Sequence, residues 1–197
     1  MPFRSMAKKG LEKIGSLKID IIAPSHGPII KNKDRILKAY NKWVNGETKC
    51  KATIAYVTMW GSTESMIHPI VETLASEGIE VALHNLVVAD LGDVAKDLVD
   101  SRAIVLGAPT VLGGAHPLAV YAAYLVRALR PPSKFGAILS SYGWGGGAIR
   151  HIGEVLAPLK IEVVGTKEIN GPPSESDLTQ IVELGKKLAE KIKAGGV

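Results

Sequence analysis

The sequence predicts an α/β fold in which a parallel sheet of five strands is doubly wound, with helices on both faces. Three observations carry this. From Ala52 onward, apolar runs of strand length alternate with stretches of helical period. One run, Ala103-Ile104-Val105-Leu106-Gly107, is almost unbroken, as expected of a strand covered on both sides. Three loops of unusual composition follow the first, third and fourth runs, so all three fall at one edge of such a sheet.

The elements follow in order. Residues 1–18 are basic and weakly patterned, a partly disordered stretch or a short helix. Ile19 to Ala23 reads as a short strand that stops at Pro24-Ser25-His26-Gly27-Pro28, a tight loop around one histidine. Asp34 to Val44 reads as a helix with Ile36, Leu37, Tyr40 and Val44 inward, ended by Asn45-Gly46. Residues 45–51 form a polar linker. Ala52 to Val57 is the first strand of the regular pattern, and a helix with Met66, Ile70 and Leu74 inward runs to Glu77-Gly78. Ile79 to Leu83 is the second strand. Asp90 caps a helix through Asp100, with Leu91, Val94, Leu98 and Val99 inward. The third strand is Ala103 to Gly107, followed by a Gly- and Pro-rich loop from Ala108 to Pro117 and a helix from Leu118 to Ala128. Phe135 to Ser140 is the fourth strand and Ala148 to Leu156 the next helix. Glu162 to Gly165 begins the fifth strand, Pro172-Pro173 breaks the chain, and Ser174 caps a last helix with Leu178, Ile181, Val182, Leu184 and Leu188 inward. Five such strands suit the flavodoxin-like order 2-1-3-4-5, whose ligand crevice lies beyond the carboxyl ends of the strands.

Composition bounds the rest. The 197 residues are 46% hydrophobic and 22% charged, which suits a globular chain with a substantial core. The single cysteine, Cys50, excludes a disulfide framework and fits a cytoplasmic protein. No apolar run has the length of a membrane span and no signal-peptide core is present. The net charge of +5 hides a division. Residues 1–51 carry 12 Lys/Arg against 4 Asp/Glu, and the remainder 12 against 15. That shift marks a boundary between a basic opening piece, residues 1–48, and a mildly acidic domain, residues 52–193. The basic piece lacks interleaved aromatics and nucleic-acid-binding motifs, so a solvated surface is expected and no nucleic acid. It is too small to build its own core.

The chemistry is in the three loops. In Val57-Thr58-Met59-Trp60-Gly61-Ser62-Thr63-Glu64, a strand runs through a turn with three hydroxyls into a helix. Gly61 allows close backbone approach, and the helix points free N–H groups and its positive end at the turn, which makes a phosphate site without lysine. It is neither a Walker A nor a G-x-G-x-x-G loop. The same turn also reads as an ordinary connection with Ser62 as N-cap. The second and third loops supply glycine backbone and the aromatic faces of Tyr142 and Trp144, suited to a flat ring with polar edges such as an isoalloxazine.

Residues 52–192 resemble the flavodoxin domain of flavodiiron proteins, also called A-type flavoproteins. Thr58 to Glu64 resembles that family's FMN phosphate loop, Gly107-Ala108-Pro109-Thr110 its Gly-Ser-Pro-Thr loop, and Ser141-Tyr142-Gly143-Trp144 its third FMN loop. The resemblance implies that Thr58, Met59, Trp60, Gly61, Ser62 and Thr63 hold the phosphate. It implies that Pro109, Thr110, Leu112, Gly113 and Gly114 flank the ring, and that Ser141, Tyr142, Gly143, Trp144, Gly145 and Gly146 close its other side, with the ring between the loops of Trp60 and Trp144. Two departures bear on the ring environment. Val111 to His116 stands where the family has a polar residue and an aliphatic run, and a run of glycines stands where its third loop tends to carry an acidic residue. His116 faces flavin or solvent.

Ile21 to Pro28 resembles the end of the family's metallo-β-lactamase-like di-iron domain, with His26 at the position of its last iron ligand and Trp43 in its closing helix. No H-x-E-x-D-H run is present, and His68, His84 and His151 show no ligand spacing, so no metal is expected in this chain alone. The resemblance implies an FMN electron-transfer protein rather than a complete di-iron enzyme. It would be reduced by a rubredoxin or an NAD(P)H-dependent reductase. It would self-associate, or bind a separate di-iron subunit in which His26 completes the iron site. The alternatives are an FMN-dependent NAD(P)H:quinone-type oxidoreductase and a flavin-free interaction module.

Overall fold

The computed structural model describes residues 2–195, which form two compact units, 2–47 and 48–195. In the second unit, alternation along the strands explains the layering. β1 (Lys49–Tyr56) sends Ala52, Ile54 and Tyr56 into one core, and Ala55 into another. β3 (Ser101–Val111) divides in the same way: Ala103 and Val105 go to the first core, Ile104, Leu106 and Ala108 to the second. A strand buried on both sides has no polar face, which is why these runs read as continuous.

The first core is closed by α3 (Ser62–Ser76) and α7 (Glu175–Ala194), through Met66, Ile70 and Leu74 from one and Ile181, Leu188 and Ile192 from the other. The second is closed by α4 (Leu91–Leu98), α5 (Pro117–Leu129) and α6 (Ala148–Leu156). α5 presents Ala119, Ala122 and Ala123 to this core, small side chains that allow close helix–sheet approach. With β2 (Glu80–Asn85), β5 (Phe135–Tyr142) and β6 (Glu162–Asn170), the parallel sheet runs β2-β1-β3-β5-β6. This is the flavodoxin-like order expected from the sequence.

Capping follows the expected chemistry at two helices. The Asp90 carboxylate accepts the Gly92 N–H at 2.6 Å. Ser174 and Asp177 form a reciprocal capping box at the start of α7. There Lys167 and the Ser174 hydrogen bonds hold the Asp177 carboxyl down at about 2.

The end of the sheet away from the carboxyl ends is tied by charge. Arg102 donates to the Ile192 carbonyl at 2.6 Å and to the Thr48 hydroxyl and carbonyl at 2.9 and 3.0 Å, joining the entry to β1 with the end of α7. The buried Lys51 ammonium lies 2.8 Å from Asp97 and 3.3 Å from Asp100. Asp97 also meets His84 Nε2 at 2.9 Å. Burial opposes ionisation of both Lys51 and Asp97. The ion pairs outweigh it, so the lysine is raised and the carboxyl lowered from their ordinary values.

Several expectations are corrected. The stretch expected as a polar linker to residue 51 already belongs to β1 from Lys49. The loop expected from Ala108 to Pro117 is largely strand: β3 continues to Val111 and folds back on β4 (Gly114–Ala115), pairing Thr110 with Ala115 and Val111 with Gly114. The two turn residues, Leu112 and Gly113, both have positive φ (50° and 77°), the signature of a tight hairpin turn that asparagine or glycine usually occupies. A leucine in the first position gave no turn signal.

In the first unit, α1 (Arg4–Gly15) is a full helix with no buried residue. The strand expected at Ile19–Ala23 does not form. Ile22 and Ile30 make one antiparallel bridge, because Pro24 and Pro28 lack the N–H groups that would extend a ladder. α2 (Lys33–Asn45) is capped by the Asn32 side chain and ended by Gly46 in the left-handed conformation. Val44 is buried as expected. Tyr40 is exposed and packs edge-on against Trp43 with ring centroids 5.2 Å apart.

Candidate functional site: a cleft at the carboxyl ends of the strands

The loop after β1 is built on Gly61. Its φ of 86° turns the chain into α3, and its N–H donates to Thr58 Oγ1 at 3.0 Å. Gly61, not Ser62, is therefore the N-cap, and Ser62 is the first helical residue. The N–H groups of Ser62, Thr63 and Glu64 lie in the first turn, where a helix offers no carbonyl partner. The Glu64 carboxylate accepts the Tyr56 phenol at 2.7 Å, which ties the first turn of α3 to β1. Burial first, and then this hydrogen bond, push the Tyr56 phenol up to about 12.

The second and third loops meet the first through hydroxyls. Thr63 is buried, and its Oγ1 lies 3.0 Å from Ser141 Oγ. Thr110 Oγ1 accepts the Ala148 N–H at 3.3 Å and approaches Ser140 Oγ at 3.4 Å. The third loop then closes on β6: the Gly171 N–H donates to the Tyr142 carbonyl at 2.8 Å, and the Gly147 N–H to Glu168 Oε1 at 3.1 Å.

Between the three loops lies a cleft of about 750 Å³, within the usual range for small-molecule sites. Thr58, Met59, Trp60 and Ser62 line it from the first loop, and Pro109, Thr110, Leu112 and Gly113 from the second. Ser141, Tyr142, Gly143, Trp144, Gly145 and Gly146 line it from the third. Three of the residues expected at the site stand elsewhere. Gly61 shapes the turn without lining the cleft. Thr63 faces inward to Ser141. Gly114 packs on His151, where a Cβ would come within 2.8 Å of the ring nitrogen Nδ1. His116 caps α5, its Nδ1 accepting the Leu118 N–H at 3.2 Å.

Val111 and Gly171 also line the cleft and were not expected. Gly171 had a readable signal: Gly171-Pro172-Pro173 follows the fifth strand, at the same carboxyl edge as the other loops. Val111 has none, because the β3–β4 hairpin that places it turns at Leu112-Gly113, where leucine is no turn residue.

No lining residue is charged. The rim is apolar and open: Trp60 is 91% exposed, Leu112 104% and Trp144 105%. Gly143 and Gly145 present bare backbone, and a Cβ at either would meet open space. Such a site takes a flat, uncharged ring between aromatic walls and hydrogen-bonds its edge through the backbone. An electropositive helix start, that of α3, lies at its side; no side chain caps it, and the Ser62 hydroxyl there has no partner among the described residues. These features fit a ring that carries a single phosphate.

The chain is 41% identical over 198 residues to a nitric oxide reductase of Moorella thermoacetica, covering 98% of this chain and 49% of that protein. The rubredoxin oxygen:oxidoreductase of Desulfovibrio gigas matches with a TM-score of 0.92 at 25% identity, over 98% of this chain and 50% of that one. The homologues of this chain are flavodiiron proteins. A flavodoxin from an archaeon matches 73% of the chain and 99% of its own length, with a TM-score of 0.63 at 26% identity, as expected for a flavodoxin-like domain. No protein-family profile matches the chain. The chain spans about half the length of the curated flavodiiron relatives it matches. Among the described residues no helix is long and apolar enough to cross a membrane, and no cluster of three His, Cys, Asp or Glu side chains is placed to hold a metal.

Proposed function

We propose that the chain is an FMN-binding electron-transfer module of the flavodiiron type. The observation that carries this reading is the uncapped start of α3 at the side of an uncharged, glycine-lined cleft with an aromatic rim. In this reading the N–H groups of Ser62, Thr63 and Glu64 and the hydroxyls of Thr58 and Ser62 hold the phosphate. The Thr58 oxygen already accepts the Gly61 N–H, so its proton is free to donate. The ring lies between the loops of Trp60 and Trp144, with Pro109, Thr110, Leu112 and Gly113 along it and the peptides of residues 143–146 at its edge. Bound there, the flavin supplies the ability to accept electrons from a donor and release them to an acceptor.

The first unit belongs to the same reading. The matches to flavodiiron relatives cover 98% of the chain, so they include residues before the flavodoxin-like unit. We take residues 1–48 as the closing segment of a lactamase-like metal domain, with His26 exposed in its loop. The donor would be a rubredoxin or an NAD(P)H-dependent reductase. The acceptor would be a di-iron centre on a separate polypeptide that supplies the other metal ligands.

The test is the identity of the flavin. Protein purified with its yellow chromophore is denatured and the released flavin chromatographed. The reading expects FMN, one per chain. FAD as the main species, or protein that stays colourless when mixed with FMN, refutes it.

A further inference from the structure

The glycines of the third loop have a neighbour that their own stretch of sequence does not announce. Glu168 stands on β6, paired in register with Ser140 of β5. Its Oε1 accepts the Gly147 N–H at 3.1 Å. A methyl group on Gly146 would overlap the same carboxylate, and Gly146 lines the cleft. A solvent-exposed carboxylate therefore stands against a cleft-wall peptide, and the absence of a side chain at residue 146 gives it room.

Gly147 is also the N-cap of α6, a helix with no side-chain cap of its own. Glu168 supplies the anionic group at that helix start from another strand. Two helices thus begin beside the cleft. α6 meets a carboxylate at its first turn, whereas α3 has no side-chain cap. The other carboxylate near these loops, Glu64, belongs to the phosphate loop and is engaged by the Tyr56 phenol.

We propose that Glu168 is a positioning residue that fixes the third loop against α6 and sets the electrostatics at the ring end of the cleft, so that added negative charge on a bound ring is disfavoured. This rests on the FMN reading above. Reduction by an external donor such as dithionite adds two electrons and one proton to the flavin at neutral pH, which leaves the ring with one more negative charge. No lining side chain is cationic, so nothing in the cleft wall offsets the carboxylate behind Gly146. Glu168 therefore makes the flavin harder to reduce.

The experiment compares wild type with Glu168→Gln, Glu168→Ala and a control, Glu183→Gln, which removes an α7 surface carboxylate paired with Lys186. Each protein is loaded with FMN and titrated anaerobically with dithionite beside a reference dye. Far-UV circular dichroism reports folding. Glu168→Gln keeps an acceptor for the Gly147 N–H and loses only the charge. Because water screens the exposed carboxylate, its equilibrium with the dye should move roughly threefold toward reduced flavin, about 14 mV more positive for a two-electron couple. Glu168→Ala should move the same way and also bind FMN more weakly, because the loop loses its tie. Glu183→Gln should match wild type. A Glu168→Gln potential equal to that of wild type overturns the proposal, as does an equal shift in Glu183→Gln. Failure of the FMN reading shows earlier and separately, as no flavin absorbance in the loaded wild type, and it removes the proposal with it.

Discussion

Replacing Thr63 with valine should destabilise the flavodoxin-like unit even with no flavin present. The side chain is 1% exposed, and its hydroxyl lies 3.0 Å from the Ser141 hydroxyl, which is itself buried. Valine keeps the shape, so no cavity opens. What is lost is the hydrogen bond, and what remains is a Ser141 hydroxyl with its partner removed. An unsatisfied buried group costs about 1–3 kcal/mol, whereas removing both partners can be nearly neutral. The single variants Thr63→Val and Ser141→Ala should each lower stability, and the double variant should recover part of the loss. The coupling in that cycle should be at least about 0.5 kcal/mol. Urea unfolding of the four flavin-free proteins measures it, with the slope against denaturant held constant as the check on two-state behaviour. In thermal melts each kcal/mol should appear as ~2–4 °C for a chain of this size. Additive single effects, or a Thr63→Val midpoint equal to that of wild type, would show that the hydroxyl pair does not join the first loop to the third.

Four further outcomes are expected. Thr58→Ala should weaken FMN binding by about 1.5–3 kcal/mol, the value of a hydrogen bond to a charged group, and should lower the flavin-free melting temperature less than Thr63→Val does, because the Gly61 N–H it leaves is only part-buried; titration calorimetry and thermal melts measure the two effects. Flavin emission should be strongly quenched on binding and partly restored in Trp60→Ala or Trp144→Ala; bright, free-flavin emission in the wild type would place the ring away from those loops. Tyr56 should ionise at about 12, visible as a phenolate absorbance step that Tyr56→Phe removes. Because its folded pKa is raised, the stability it lends is complete below the ordinary tyrosine range near 10 and is lost as pH rises through about 12. Lys51→Met should cost more than Asp97→Asn, because the first leaves Asp97 and Asp100 facing each other while the second leaves Lys51 its bond to Asp100. Asp97 has a lowered folded pKa, so its contribution is present above the ordinary aspartate range and lost as pH falls through the folded value. Asp97→Asn should therefore flatten the acid limb of the stability profile.

The parallel order and both cores were readable because the doubly wound fold writes itself as unbroken apolar strands and helices of one period. Ala103 to Gly107 and the Met66, Ile70, Leu74 row are examples, and all of them are buried. The errors lie where local signals conflict with tertiary pairing. Ala108 to Pro117 carries loop residues, yet β3 persists through it because β5 pairs alongside as far as Pro109 with Ser141. Ile19 to Ala23 carries strand residues but has proline-interrupted chain beside it and forms one bridge. At the site, sequence order located the three loops but could not separate residues that face the cleft from those behind it. Thr63 and Ser62 are adjacent hydroxyls, one turned inward to Ser141 and the other toward the cleft. Glu168 was illegible for another reason: it reaches the third loop through strand pairing, from more than twenty positions along the chain.

A crystal structure of the chain loaded with FMN decides where the flavin sits. The phosphate should lie within hydrogen-bonding distance of the N–H groups of Ser62, Thr63 and Glu64, and the ring between the loops of Trp60 and Trp144 with its edge on the peptides of residues 143–146. FMN bound outside this cleft, or with its phosphate at the start of α6 beside Glu168, would contradict this placement.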